Sequence, residues 1–171
     1  EETAAWVAIT ADGDALGDAV LVLSEDAVER VGHVARLRDV CDRARAVKGR
    51  AGCQVVYVPS LVRSINPWKD AFAYRSIKRH LDAFQPEVVH THSAKGGVLG
   101  RLAAASLRVP VIVHTVHGAP FHPYQSPLAR WLFRWCERYA GARCHALVTV
   151  ADAMTELMVS ARVAPRDKFR K

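Results

Sequence analysis

Five histidines, His90, His92, His114, His117 and His122, lie among Lys95, Arg101, Gly96, Gly97, Gly100 and Gly118. An imidazole near neutral pH can donate, accept or carry a proton. Ser93, Lys95, Gly96 and Gly97 run directly into an Ala- and Leu-rich stretch that reads as a helix. Free N–H groups at a helix start attract anions, glycines let a ligand come close, and Lys95 adds a positive charge. The same glycines could instead allow close packing of helix on strand. Both readings, anion binding and packing, stand at this point. The loop has neither Gly-x4-Gly-Lys-Ser/Thr nor Gly-x-Gly-x-x-Gly, so it is neither of those two phosphate-binding patterns.

Residues 88–136 contain no Asp or Glu but hold Lys95, Arg101, Arg108, Arg130 and Arg134. That excludes hydrolysis by a local pair of carboxylates. It suits a negatively charged ligand. His117 precedes Gly118 where a strand must turn, so its imidazole can bond substrate hydroxyls or phosphate oxygens. Strand alternation puts His90 and His92 on one face. His90 and His114 read as core histidines bonded to backbone, and His92 is a further candidate for the site. No metal site is expected, because His90-x-His92 has no local carboxylate to complete it. The cysteines Cys41, Cys53, Cys136 and Cys144 have no CxxC spacing and read as reduced, mostly buried thiols of a cytoplasmic protein.

Placing these residues requires the elements around them. Residues 19–23, 54–58, 87–91, 109–116 and 146–150 are short apolar runs with the character of buried strands. Residues 68–84, 96–107, 127–140 and 152–160 read as helices. Pro67 and Pro127 mark two starts, Gly141 is expected just beyond one end, and Asp152 is expected as a cap. Residues 4–16 read as helical despite Gly13, residues 34–47 as an Arg-rich surface helix and residues 48–52 as a turn. Strands alternating with helices predict an α/β fold: a doubly wound, mostly parallel, Rossmann-like sheet with helices on both faces. Ligands in such sheets bind beyond the carboxyl ends of the strands.

The chain has 171 residues, 50% of them hydrophobic and 24% charged, enough for one domain. No apolar run approaches the ~20 residues of a membrane-spanning helix. Glu1 and Glu2 stand where a signal peptide would be basic, and the first residue is expected to lie within a longer chain. The net charge of +7 favours anionic partners. A nucleic-acid-binding module is one reading of that charge, but no helix-turn-helix, zinc finger or RNA-binding motif is present and no nucleic acid is expected. In residues 127–140, Leu128, Trp131, Leu132, Trp135 and Tyr139 form one stripe, with Arg130, Arg134 and Arg138 elsewhere. A core-facing helix shows such a stripe, and so does one lying on an anionic bilayer. Plain packing is the expectation, and peripheral membrane contact is the alternative.

Residues 88–104, VVHTHSAKGGVLGRLAA, with residues 109–118, VPVIVHTVHG, resemble the N-terminal domain of family 4 glycosyltransferases. Residues 57–70, YVPSLVRSINPWKD, are similar to the same family's upstream motif. The likeness runs from about residue 55 to the C-terminus and continues through Glu137. It implies one half of a GT-B fold, with residues 1–171 forming a single N-terminal domain. A donor domain beyond Lys171 would bind a nucleotide-sugar. It implies retaining transfer without a metal ion or other cofactor. His117 would lie beside the transferred sugar and a polar or anionic acceptor. Ser93, Lys95, Gly96 and, by the upstream motif, Arg63 would line the acceptor side, and Gly97, Gly118 and His92 join them as substrate-binding candidates. The family's first strand and Gly-rich loop are not recognisable at the N-terminal end of this chain, so the sheet is expected to lack its leading strand; with the donor domain expected beyond Lys171, the fragment is expected to be inactive alone. A GT-B nucleotide-sugar epimerase is the alternative with the same architecture.

Overall fold

The computed structural model describes residues 6–9, 19–23, 54–61, 64–92 and 94–171. The expected surface helix at 34–47, the turn at 48–52, Cys41, Cys53, Arg63 and Ser93 lie outside them. Among the described residues seven strands form one sheet: β1 Trp6–Ile9, β2 Ala19–Leu23, β3 Gln54–Tyr57, β4 Val88–His92, β5 Val111–Val116, β6 Ala146–Thr149 and β7 Phe169–Arg170. Their order is β3-β2-β1-β4-β5-β6-β7, and every neighbouring pair is parallel. Four described helices follow: α1 Pro67–Phe84, α2 Ala94–Ser106, α3 Pro127–Gly141 and α4 Asp152–Ser160. The order reverses between β1 and β4, which makes the sheet doubly wound.

Two expectations at the N-terminal end are corrected. Trp6–Ile9 is a strand and not part of a helix, and it occupies the middle of the sheet, paired with β2 on one side and β4 on the other. The leading strand is therefore present. Four residues flanked by alanines are too few to show a strand period, and pairing on both sides overrides local helix propensity. The two-residue β7 left no sequence signal either.

The helices begin and end where local chemistry dictates. Asn66 caps α1 by accepting the Lys69 N–H at 3.1 Å, and its own N–H donates to Asp70 at 3.3 Å. Pro67 fills the first helical position, and Gln85 ends the helix in a left-handed conformation. Ser126 caps α3 through the Ala129 N–H at 3.3 Å. Asp152 is not the cap of α4; Ala151 holds that position with no side-chain bond. Gly141 lies within the last turn of α3, not beyond it, where a Cβ would come within 3.0 Å of the Val163 carbonyl. Its smallness serves packing.

The steps β3→β4, β4→β5, β5→β6 and β6→β7 all move in one direction, so right-handed crossovers put α1 to α4 on one face of the sheet. Val89, Thr91, Ile112 and His114 point to that face and are buried. The core continues through Ala73, Ile77 and Leu81 of α1 and through Leu147 and Met158. α2 lies across β1, β4 and β5. It starts two residues earlier than its composition suggests, so Lys95, Gly96 and Gly97 are part of its first turn. A Cβ on Gly97 would sit 2.4 Å from Cε1 of His114, so packing is what Gly97 provides. His114 Nδ1 donates to the Thr91 carbonyl at 3.0 Å and lies 2.9 Å from the Thr91 hydroxyl. Burial first, and the nearby Arg101 charge second, hold its pKa well below the usual histidine value.

Two predictions follow from this contact. Gly97→Ala forces the ring of His114 aside although two bonds to β4 hold it. Overpacking costs about 1–3 kcal/mol, offset in part by the ~1 kcal/mol helix preference of Ala over Gly. A net loss of stability is expected by urea denaturation, whereas Gly118→Ala, whose Cβ meets nothing within 4 Å, should be neutral. The second concerns acid. The folded-state pKa of His114 lies below its unfolded value of about 6.5, so below that pH the unfolded chain binds a proton that the native state refuses. Stability is fully present above about pH 6.5 and falls as pH drops towards the folded value. The denaturation midpoint should fall between about pH 7.5 and about pH 5.5, and His114→Asn should flatten that dependence while lowering the baseline. An unchanged slope would remove His114 as its source.

Candidate functional site

The other face of β4 and β5 carries the remaining histidines. Register pairs His90 with Val113 and His92 with Thr115. His90, His92, Thr115 and, just past the strand end, His117 therefore share one side. His90 Nε2 bonds the Thr115 hydroxyl at 2.8 Å. The rings of His90 and His92 stand 4.3 Å apart between centroids. His92 Nδ1 lies 3.0 Å from His117 Nε2, so one of these nitrogens carries the proton they share. The column climbs from the half-buried His90 to the exposed His117. Burial, then the neighbouring His117, lowers the pKa of His90. His90 is thus bonded to a hydroxyl, not to backbone as expected, whereas His114 does take a backbone carbonyl.

The rim beside this column is less cationic than its composition suggests. Lys95 donates to Asp70 at 2.7 Å and to the Ser64 carbonyl. An ammonium has three donors, which leaves one without a partner among the described residues. Arg101 is not at the rim at all. Its Nη2 donates to Glu137 at 2.8 Å and its Nε to the Gly97 carbonyl at 2.9 Å, with side-chain exposures of 0% for Arg101 and 2% for Glu137. Its Nη1 has no hydrogen-bond partner of normal geometry among the described residues. The carboxylate-free stretch 88–136 is thus answered by acids on either side of it, Asp70 and Glu137.

Lys95 and His117 follow the carboxyl ends of adjacent parallel strands, so they share one rim, next to the β1/β4 reversal where such sheets bind ligands. Gly96 and Gly97 are buried, and Gly118 is exposed, with open space where a side chain would project. Among the described residues no group of three or more His, Cys, Asp or Glu could hold a metal ion. Cys136 and Cys144 are free thiols, half-buried and buried, and burial raises both pKa values. Sequence reasoning missed Asp70 and Thr115 as partners. Asp70 had a signal, because it closes the motif at 57–70; Thr115 becomes visible only through strand register.

A galactosyltransferase of Escherichia coli, UDP-Gal:alpha-D-GlcNAc-diphosphoundecaprenol alpha-1,3-galactosyltransferase, is 40% identical over 88 residues, 52% of this chain and 22% of that protein. UDP-GlcNAc 2-epimerase of Neisseria meningitidis superposes with a TM-score of 0.59 at 13% identity, covering 96% of this chain and 45% of that one. MurG of Acinetobacter baumannii gives 0.51 at 10% identity, covering 86% and 42%. The two structures share the fold, and each match spans less than half of the larger protein. The family model for the glycosyl transferase 4-like domain matches residues 9–170, and the chain belongs to that family.

Proposed function

We propose that this chain is the acceptor-side half of a retaining glycosyltransferase. The whole enzyme moves a sugar from a nucleotide-sugar to a polar or anionic acceptor, and a second Rossmann-like domain beyond residue 171 binds the donor. The observation that carries this reading is the His92–His117 pair at the rim of β4 and β5. An imidazole exposed there, with its ring fixed by a neighbour, can hydrogen-bond a sugar or acceptor hydroxyl and hold it beside the anomeric carbon.

The acceptor's polar group docks at the start of α2, at the first-turn N–H groups of Lys95 to Gly97 and the remaining Lys95 donor, with Ser93 assigned to the same side by the family likeness alone. Gly118 belongs to the same side, and the family likeness assigns Arg63 to it. Asp70 fixes the direction of Lys95. The acceptor is a lipid-linked glycan, the class named for the Escherichia coli relative, and the reaction serves polysaccharide synthesis at the cytoplasmic face of a membrane. The leaving diphosphate is stabilised by positive groups of the second domain, without a metal ion.

In the full-length enzyme, His117→Ala should lower turnover by about 10²-fold or more, as loss of a positioned polar contact can. The assay is transfer of radiolabelled sugar from nucleotide-sugar to lipid-linked acceptor, and EDTA should leave the wild-type rate unchanged. Unaltered kinetics would take His117 out of the site. Inhibition by EDTA that a divalent cation reverses would contradict the metal-free mechanism. Epimerisation of the nucleotide-sugar without acceptor would favour the epimerase alternative.

A further inference from the structure

The stripe on α3 faces outward. Leu128 is 75% exposed, Trp131 61%, Trp135 50% and Tyr139 42%, and only Leu132 of the five is half-buried. The face that α3 turns inward holds Glu137, Ala140 and Gly141. Leu128, Trp131, Trp135 and Tyr139 are spaced by three and four residues, so they form one line along the helix. Trp135 and Tyr139 stack with centroids 5.3 Å apart, and the Arg143 guanidinium lies 3.5 Å over the Tyr139 ring. Arg130, Arg134 and Arg138 run beside this line, about a quarter turn away.

Charge selects the occupant. Residues 88–151 contain a single carboxylate, Glu137, and it is buried and paired with Arg101. α3 therefore presents aromatic rings and guanidinium groups to solvent and no acid. Trp and Tyr favour the headgroup level of a bilayer, and arginines favour its anionic lipids. A protein partner would need a strongly acidic face around an apolar groove; an anionic bilayer supplies both properties at once. No described helix is long and apolar enough to cross a membrane. We infer that the outer face of α3 docks this protein on an anionic lipid surface, with Trp131 and Trp135 entering the headgroup layer and Arg130 and Arg138 pairing with lipid phosphates.

α3 starts on the same rim as His117, because a helix that follows a parallel strand begins at that strand's carboxyl end. Docking through this helix brings the rim towards the membrane. That part of the inference rests on the reading of the acceptor as lipid-linked; the docking itself does not. The test is flotation of the full-length protein with phosphatidylcholine vesicles, with and without phosphatidylglycerol. Binding is expected only with the anionic lipid and should weaken with added salt. Trp131→Ser with Trp135→Ser should lower partition by about tenfold or more, and Arg130→Glu with Arg138→Glu should remove the salt-sensitive binding. Both pairs change exposed side chains, and thermal melting checks that the fold persists. Absence from anionic vesicles, or equal binding by wild type and both variants, overturns the inference. So does a dimer in sedimentation that the tryptophan pair disperses, because the stripe would then be a contact between copies. Transfer to a short, water-soluble acceptor analogue separates the two readings: its failure in a protein that still floats removes the transferase reading and leaves docking intact.

Discussion

The approach of α2 to β5 at Gly97 and His114 sets the geometry on which the rest depends. With no side chain at Gly97, the helix comes down onto an imidazole that is itself tied to β4. One turn later Arg101 is carried below the surface, and it can be there only because Glu137 meets it from α3. Removing one partner of such a pair leaves an uncompensated buried charge and typically costs about 3–5 kcal/mol, although the intact pair adds little beyond what an apolar pair would. Its physical effect is orientation. To reach Arg101, α3 must turn Glu137 inward, and the line of tryptophans then faces out.

That coupling explains why part of the molecule was readable from the sequence and part was not. β4, β5 and β6 are apolar runs between clear helix signals, and their positions were predicted within two residues at each end. α1 and α3 carry Asn66-Pro67 and Ser126-Pro127 starts, which act locally. The ion pairs do not. Asp70 is 25 residues from Lys95, and Glu137 is 36 from Arg101. No local spacing shows that two of the cations in the carboxylate-free stretch are already answered. The stripe on α3 was visible, but a periodic pattern gives an axis and not a sign. Which side turns inward is decided by a carboxylate whose partner lies on another helix.

The two faces of the β4–β5 pair use histidine differently. On the helix-covered face, His114 is buried and bonded to the Thr91 carbonyl, and desolvation disfavours its charged form. On the opposite face, His90, His92 and His117 form a column that ends in solvent, each bonded to a neighbour. Strand alternation alone separates these roles, because Thr91 and His114 are register partners on one side and His92 and Thr115 on the other. A shift of register by one residue would exchange the buried and the exposed imidazoles.

The positive charge is sorted in the same way. Lys95 spends most of its donors on Asp70 and Ser64, and Arg101 is internal, so among the described residues the rim beside His117 carries little uncompensated charge. Arg130 and Arg138 stay exposed on α3, a helix with no outward acid. Long-range attraction for an anionic surface is therefore strongest away from the rim, while recognition at the rim falls to short-range hydrogen bonds from imidazole and backbone. A screened Coulomb field draws the protein to a surface without selecting a ligand, whereas directional bonds select a ligand only once it is close. Placing the two on different parts of one unit lets each operate without the other's competition.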